Sequence, residues 1–392
     1  MDSSERSLRI LHVLRAPVGG LFRHVQDLAL EQAARGHAVG LIADSSTGGE
    51  HAKAQFAQLA CDLRLGVTRF PMRREPHRSD LPAILRVTRE ILRLKPDVVH
   101  GHGSKGGLYA RASAFLPCPG SPLRVYTPHG GSFHEQPGRG IYLTVERLAA
   151  ARTDLLLFES DYIAAQYFKG VGETRALQRV AKNGLRPQEF SPVAAAPDAA
   201  DFVYVGELST YKGVDTLIEA LAVLHSQGEW APRLVIVGSG CQYDKLAGMV
   251  ELYGLNRHVA FYGTLPAREA FALGAVVVAP SRAESLPYIV LEAIAAGKTL
   301  IATDVGGNSE ILGPLRDRLI PPDQPLALAE AMRAALKRDP AETAVERAVL
   351  SDYVARHFSA RTMADSVLSA YRQALARRWG VAPAHAQTGA AR

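Results

Sequence analysis

The sequence predicts an α/β protein built from two units, each a parallel sheet with helices on both faces. Three observations predict it. A length of 392 residues exceeds one ordinary core and suits two domains of roughly 150–200 residues each. Short apolar runs of strand length alternate with helical periodicity along almost the whole chain, the pattern of parallel sheets with helical crossovers. A Pro/Ala-rich aperiodic stretch, SPVAAAPDAAD (191–201), interrupts the alternation before it restarts. The expected division is residues 1–195, residues 196–378, and a tail at 379–392 too poor in large apolar residues to fold. Two facing Rossmann-like domains would bind ligands at the carboxyl ends of their strands, in the crevice between them.

The elements follow in order. Strands are expected near 9–16 (RILHVLRA), 38–44, 67–72, 97–103, 124–130 and 154–160, with helices in the gaps. Residues 22–35 place Val25, Leu28, Ala29 and Ala33 on one face, and Gly36 follows as a stop. After the linker come strands at 202–208, 233–238, 258–263, 275–280, 299–304 and 317–321. Helices are expected at 213–226, 242–253, 266–273, 287–296, 325–337, 341–357 and 359–377.

Composition narrows the class. Hydrophobic residues make up 47% and charged residues 21%, as in soluble globular proteins. The first polar residues lead into an apolar run of strand length, not a signal peptide, and no run approaches the ~20 residues of a membrane span. Three scattered cysteines without a CxxC pair fit a reducing compartment. A cytoplasmic protein is therefore expected. Residues 1–195 carry 26 Lys+Arg against 18 Asp+Glu, net +8, and the remainder is net −2. A basic front half points to a phosphate, a phosphorylated lipid or an anionic membrane surface, with a solvated arginine-rich face as the plain alternative. Nucleic acid is not expected, because basic residues and aromatics do not interleave and no zinc-finger spacing occurs.

Chemistry is expected on the strand-to-helix turns. Gly19 and Gly20, in RAPVGGLFRHV, can bring backbone N–H groups to a phosphate at a helix start, though an ordinary tight turn reads the same. HGHGSKGG (100–107) offers His100, His102, Ser104 and Lys105, and TPHGGS (127–132) exposes His129 as a hydrogen-bonding group. His100, His102 and His129 could converge on a metal, but no carboxylate or cysteine accompanies them at ligand spacing, and no metal is expected. Lys212, at a helix start, can neutralise a diphosphate. VIVGSG places Gly238 and Gly240 as GxG, but without the third glycine or the acidic residue of a dinucleotide site.

PSRAESLPYIVLEAIAAGKTLIATDVGG (280–307) carries two glutamates, Glu284 and Glu292, in otherwise core-like sequence. Burying a carboxylate there costs free energy unless something pairs with it. Glu284 falls in the loop before a helix start and Glu292 inside the helix. The helix N-terminus favours phosphate. Carboxylates on either side can hold sugar hydroxyls, which together is the shape of a sugar nucleotide.

These motifs resemble glycosyltransferase family 4, the retaining GT-B group, over nearly the whole chain. The resemblance rests on the Gly19-Gly20 turn with RGHAVGLIA, PDVVHGHGSKGG, YTPHGG, NGLRPQEFSP, VGEL…KGVDTLIEAL, LVIVGSG, the E-x7-E pair and ATDVGGNSEIL. It implies a metal-independent hexosyl transfer from a nucleotide sugar, UDP- or GDP-linked, with no separate cofactor. The acceptor would be a saccharide or lipid-linked saccharide in bacterial surface-polysaccharide synthesis, reached at the inner face of the cytoplasmic membrane. Glu292 would hold ribose, Glu284 the transferred sugar, Lys212 the diphosphate and His129 the donor sugar. Gly19, Gly20, Gly238, Gly240 and Leu286 would line the donor site, and Ser104 and Lys105 the acceptor site. Two positions depart from the family: Glu207 stands where an arginine is usual, and SLP (285–287) replaces glycine–aromatic–glycine. Arg282 and Arg23 are the candidates to replace the missing cation. A sugar-nucleotide 2-epimerase and a non-catalytic nucleotide-sugar-binding partner of a transferase are the alternative readings.

Overall fold

The computed structural model describes residues 6–115, 121–130, 139–228 and 232–379. Chain contacts divide it into two units, one of residues 1–184 with 360–392, the other of Leu185–Ser359.

The first unit runs β1 (Arg9–Leu14), α1 (Gly19–Ala34), β2 (Ala38–Asp44), α2 (Gly49–Asp62), β3 (Gly66–Phe70), α3 (Asp80–Leu94), β4 (Val98–His102), α4 (Gly103–Ala112), β5 (Leu123–Thr127), α5 (Arg139–Ala150), β6 (Leu155–Phe158), α6 (Asp161–Val171) and β7 (Leu177–Val180). The second holds β8 (Ala200–Val205), α7 (Val214–Ser226), β9 (Leu234–Val237), α8 (Tyr243–Leu252), β10 (Val259–Phe261), α9 (Ala267–Ala272), β11 (Gly274–Ala279), α10 (Tyr288–Ala295), β12 (Thr299–Ala302), α11 (Asn308–Leu312), α12 (Pro325–Lys337) and α13 (Pro340–His357). The chain then returns to the first unit as α14 (Ala360–Trp379).

Both sheets are parallel. The first has order β3-β2-β1-β4-β5-β6-β7 and the second β10-β9-β8-β11-β12. Strand order therefore reverses between β1 and β4 and between β8 and β11, the places where doubly wound sheets open a ligand crevice at their carboxyl edge. Central strands are buried on both faces: β4 and β5 are buried along their whole length, as parallel strands covered by helices must be.

Four expectations need correction. The unit boundary lies at 184/185 rather than 195, and 191–201 is no free linker: Val193, Ala196 and Ala200 donate backbone bonds to Ala296, Ala272 and Leu273 of the second unit. The helix expected at 359–377 belongs to the first unit, because Met363, Val367, Leu368 and Tyr371 pack on Ile10, Val98, Val125 and Leu155. β7 was not expected; it is a half-exposed edge strand, LQRV, without the apolar run of its neighbours. The strand expected at 317–321 is a 3₁₀ turn over Gly313–Arg318 followed by a single bridge from Ile320 to Thr303, since Pro314 and the Arg316-Asp317-Arg318 run cannot enter a buried ladder. The tail expected at 379–392 lies, beyond Trp379, outside the described residues. Among the described residues no helix is long and apolar enough to cross a membrane.

One buried ion pair ties helices of the first unit together. Arg111 of α4 donates to both carboxylate oxygens of Glu146 of α5 at 2.5 and 2.9 Å, with the two side chains only 1% and 3% exposed. Tyr167 donates to the same carboxylate at 3.1 Å, and the guanidinium lies 3.8 Å from the centre of the Tyr126 ring. Removing one partner strands the other without water. Glu146→Ala should therefore cost about 3–5 kcal/mol of stability, read from urea unfolding, whereas the apolar pair Arg111→Met with Glu146→Leu should recover most of it.

Candidate active site

The residues expected to hold the donor gather at the β8/β11 reversal. The loop after β8 and the loop after β11 bind each other through the backbone, Arg282 N–H donating to the Tyr211 carbonyl at 2.8 Å. Gly213 has φ +64°, and a Cβ there would lie 2.1 Å from the Pro280 carbonyl oxygen; only glycine lets the two loops approach this closely. Their union brings Lys212 Nζ within 2.6 Å of Glu284 Oε1, with side chains 24% and 10% exposed. The pair is shielded, yet solvent still reaches the lysine. Ser281 Oγ donates to the same Glu284 oxygen at 2.6 Å.

The ATDVGGNSEIL segment closes over this pair. Thr303 Oγ1 donates to the Ser281 carbonyl at 2.6 Å, and Gly307 N–H to the Ser285 carbonyl at 2.8 Å. Gly306, at φ +58°, passes so near that a Cβ would sit 2.0 Å from the Glu284 carbonyl oxygen. Below the loop, burial and the charges of Glu284 and Glu207 push the Tyr204 phenol up from its usual range.

Glu292 lies in the second turn of α10, partly buried. Pro287 sits at the N-cap, one step before the first helical position expected for it. Leu286 is 2% exposed and packs with Ala279, Tyr288 and Val290, so any contact it makes with a ligand is through its backbone. Gly238 has φ +148°, and its Cβ would meet the Gly206 carbonyl oxygen at 1.8 Å; that of Gly240 would meet Leu208's at 2.3 Å. These two glycines let the β8 and β9 turns pack together, a structural need the GxG spacing does not reveal.

Arg282 does not stand free to replace the missing cation. It forms ion pairs with Asp323 and, at 2.8 Å, with Asp215, and donates to the Thr210 carbonyl at 2.7 Å. It clamps the Lys212 loop instead. Arg23, in the first unit, lies 3.6 Å from the buried Asp27 carboxylate.

The remaining expected residues lie at the carboxyl edge of the first sheet. Gly19 and Gly20 open α1 after β1 and are exposed. Ser104 and Lys105 lie in the first turn of α4. Lys105 is already engaged: it donates to Asp80 Oδ2 at 2.5 Å and to the Glu75 carbonyl at 3.1 Å.

His129 follows β5 in a left-handed conformation, φ +56°, uncommon for a side chain-bearing residue. Its Nε2 is 3.2 Å from His102 Nδ1. His102 Nε2 is 2.9 Å from His12 Nδ1, and His12 Nε2 is 2.8 Å from Gln32 Oε1. His24 Nδ1 lies 3.0 Å from Asn183 Oδ1. His100 is structural, held by Tyr371 at 2.7 Å and Thr127 at 2.8 Å. Burial pulls His12 and His24 down to about 4 and holds His100, His102 and His129 well below the usual range, so all five rings are neutral near pH 7. His12, His24 and their partners were missed in the sequence. The available signals were a lone histidine in the apolar run RILHVL and another on the buried face of α1.

Gly306→Ala should strain the loop that covers Glu284 and lower stability by about 2 kcal/mol, measured by urea unfolding.

Two family models match: Glycosyltransferase Family 4 over residues 18–189 and Glycosyl transferases group 1 over 186–349. EpsD of Bacillus subtilis strain 168, a glycosyltransferase by assignment, is 32% identical over 264 residues, 62% of this chain and 68% of EpsD. The glycogen synthase of Mycobacterium tuberculosis is 27% identical over 90% of this chain and 91% of its own. Among solved structures, Anabaena HepE with UDP-glucose superposes with TM-score 0.75 at 20% identity, covering 92% of this chain and 98% of HepE. Sucrose-phosphate synthase of Thermosynechococcus elongatus gives 0.77 at 22%, covering 94% and 100%.

Proposed function

From the premise that the chain belongs to glycosyltransferase family 4 and is a glycosyltransferase of the GT-B fold, we propose that it transfers a hexosyl group from a nucleotide sugar to an acceptor hydroxyl with retention. The observation that carries this reading is the Lys212–Glu284 pair at the β8/β11 reversal, directly before α10 with its Glu292. HepE, a likeness in fold, is solved with UDP-glucose, which supports a donor of that class.

In the free protein Lys212 and Glu284 neutralise each other. A bound donor gives each a new partner: the diphosphate takes Lys212, and the hydroxyls of the sugar take Glu284. Glu292 accepts the two ribose hydroxyls. Leaving-group charge is met by Lys212 and by the backbone N–H groups that open α10; the sequence has no D-x-D triplet to bridge a metal to the diphosphate. The bond from the anomeric carbon to the phosphate oxygen breaks, its electron pair leaving with the phosphate. The acceptor oxygen bonds to that carbon on the same face, and its proton passes to the departing phosphate. His129 would hydrogen-bond the donor sugar. The glutamates grip the donor rather than flank the scissile bond as in glycosidases.

A saccharide or lipid-linked saccharide is the proposed acceptor, in keeping with the relative TuaC of Bacillus subtilis, named for teichuronic acid biosynthesis. α3 favours work at an anionic membrane surface. It exposes Leu81, Leu85 and Leu92, with Arg86, Arg89 and Arg93 exposed on the same helix, the composition of an interfacial helix.

Glu292→Ala should raise the Kd for the nucleotide at least tenfold in isothermal titration. Lys212→Ala should lower kcat by about 10²–10³-fold; wild-type values for both would refute the site. A thermal-shift screen with UDP-, GDP- and ADP-sugars should raise Tm for one base alone.

A further inference from the structure

We propose that the first unit binds one divalent transition-metal ion of the zinc class through His24, His102 and His129. Three independent features of the histidine cluster lead there.

The first is spacing. The candidate nitrogens of these three residues all lie within 4.8 Å of one another, and those of His102 and His129 are 3.2 Å apart. Around a tetrahedral zinc with bonds of about 2.0–2.1 Å, ligand nitrogens sit about 3.3 Å apart and imidazole centres about 5 Å apart. The observed ring centres are separated by 4.9 Å (His24–His129), 5.4 Å (His102–His129) and 5.8 Å (His24–His102). A small inward movement of His24 completes the set.

The second is the outer hydrogen bonding. Histidine ligands are oriented by a bond from the nitrogen that does not face the metal. Asn183 Oδ1 accepts from His24 Nδ1–H, which leaves the lone pair on Nε2. Gln32 Oε1 accepts from His12 Nε2–H, so His12 Nδ1 can accept from His102 Nε2–H, which leaves the lone pair on His102 Nδ1. That lone pair faces Nε2 of His129. One chain of bonds thus turns the basic nitrogen of His102 toward His129, and the Asn183 bond leaves Nε2 as the basic nitrogen of His24; an ion among the three rings would take up these lone pairs.

The third is access and selection. His129 is only partly buried, and three protein ligands would leave a fourth position for water. The neighbouring trio His12, His100 and His102 also brings three nitrogens together but does not fit. Both nitrogens of His100 are already bonded, and its ring lies tilted against that of His102 with centres 3.9 Å apart, too close for an ion between them. The three ligands come from α1, the end of β4 and the loop after β5. A bound ion would cross-link three elements at the carboxyl edge. Imidazole ligands favour zinc, copper or nickel over magnesium or calcium.

The test uses the full chain, stripped with EDTA, dialysed and titrated with CoCl₂. One Co²⁺ should bind per chain with the intense visible bands of a tetrahedral ion, bleach on adding Zn²⁺, and raise Tm. His129→Asn, chosen because asparagine tolerates a left-handed backbone, should weaken Co²⁺ binding at least a hundredfold while circular dichroism stays native. Asn183→Leu should weaken it about tenfold. His24→Ala should abolish it if that variant folds; His129→Asn carries the test if it does not. Absence of a stoichiometric ion, the weak bands of an octahedral one, or undiminished binding in folded His129→Asn would overturn the proposal.

Discussion

The union of the loops after β8 and β11 depends on one backbone acceptor: the Tyr211 carbonyl, which takes the N–H of Arg282 and that of Ala283. β8 and β11 are neighbours in the sheet but are separated in the chain by the 68 residues from 206 to 273. Their loops leave the same edge, and this contact fixes their register. Gly213 allows the approach, Arg282 spans from Asp215 to Asp323 across it, and Lys212 meets Glu284 as a consequence. The backbone bond, Gly213 and Arg282 hold the two loops independently of the lysine and the glutamate, so that pair can exchange partners without releasing the loops.

Much of this was legible in the sequence, and the reasons are local. Buried parallel strands such as β4 and β11 are continuous apolar runs bounded by turn residues. The order strand, turn, helix puts Gly19, Lys212 and Glu284 at carboxyl edges without knowledge of any contact. What the sequence hid was long-range. α14 has ordinary helical periodicity, and nothing local says which sheet it covers; its Tyr371 bonds to His100, 271 positions away. The Pro/Ala-rich segment at 191–201 has the composition of a linker, yet its N–H groups find carbonyls of α9 and α10. Composition reports the absence of periodicity, not the absence of partners.

Charged side chains were the hardest to assign, because type does not determine occupation. Arg282 and Lys105 each stand on a site-forming loop and read as phosphate or acceptor contacts. Each is already committed, Arg282 to two aspartates and Lys105 to Asp80. Lys212 differs in that its partner, Glu284, is itself a residue the sugar is expected to claim. Under the proposed function, entry of one ligand would supply replacements for both ends of that pair at once, so neither charge would be left uncompensated in a shielded site.

The first sheet has the same topology at its β1/β4 reversal but a different solution. There the crowded groups are neutral imidazoles instead of an ion pair. Charge is avoided because burial makes the imidazolium costly. Five neutral rings still carry five acceptor nitrogens, and each buried acceptor requires a donor. The hydroxyls of Thr127 and Tyr371 beside His100 meet part of that requirement, while the amide oxygens of Gln32 and Asn183 take ring N–H groups instead. Where His102 and His129 face each other through ring nitrogens, only a shared proton or an ion can satisfy both. The outer bonds leave His102 with a lone pair on that side, so His129 must supply the proton unless an ion replaces it. Under the proposed function the same histidine meets the donor sugar. On that proposal, whatever occupies its Nε2 decides, through the tautomer, whether its other nitrogen presents a lone pair or an N–H, which would couple the buried cluster to the chemistry outside it.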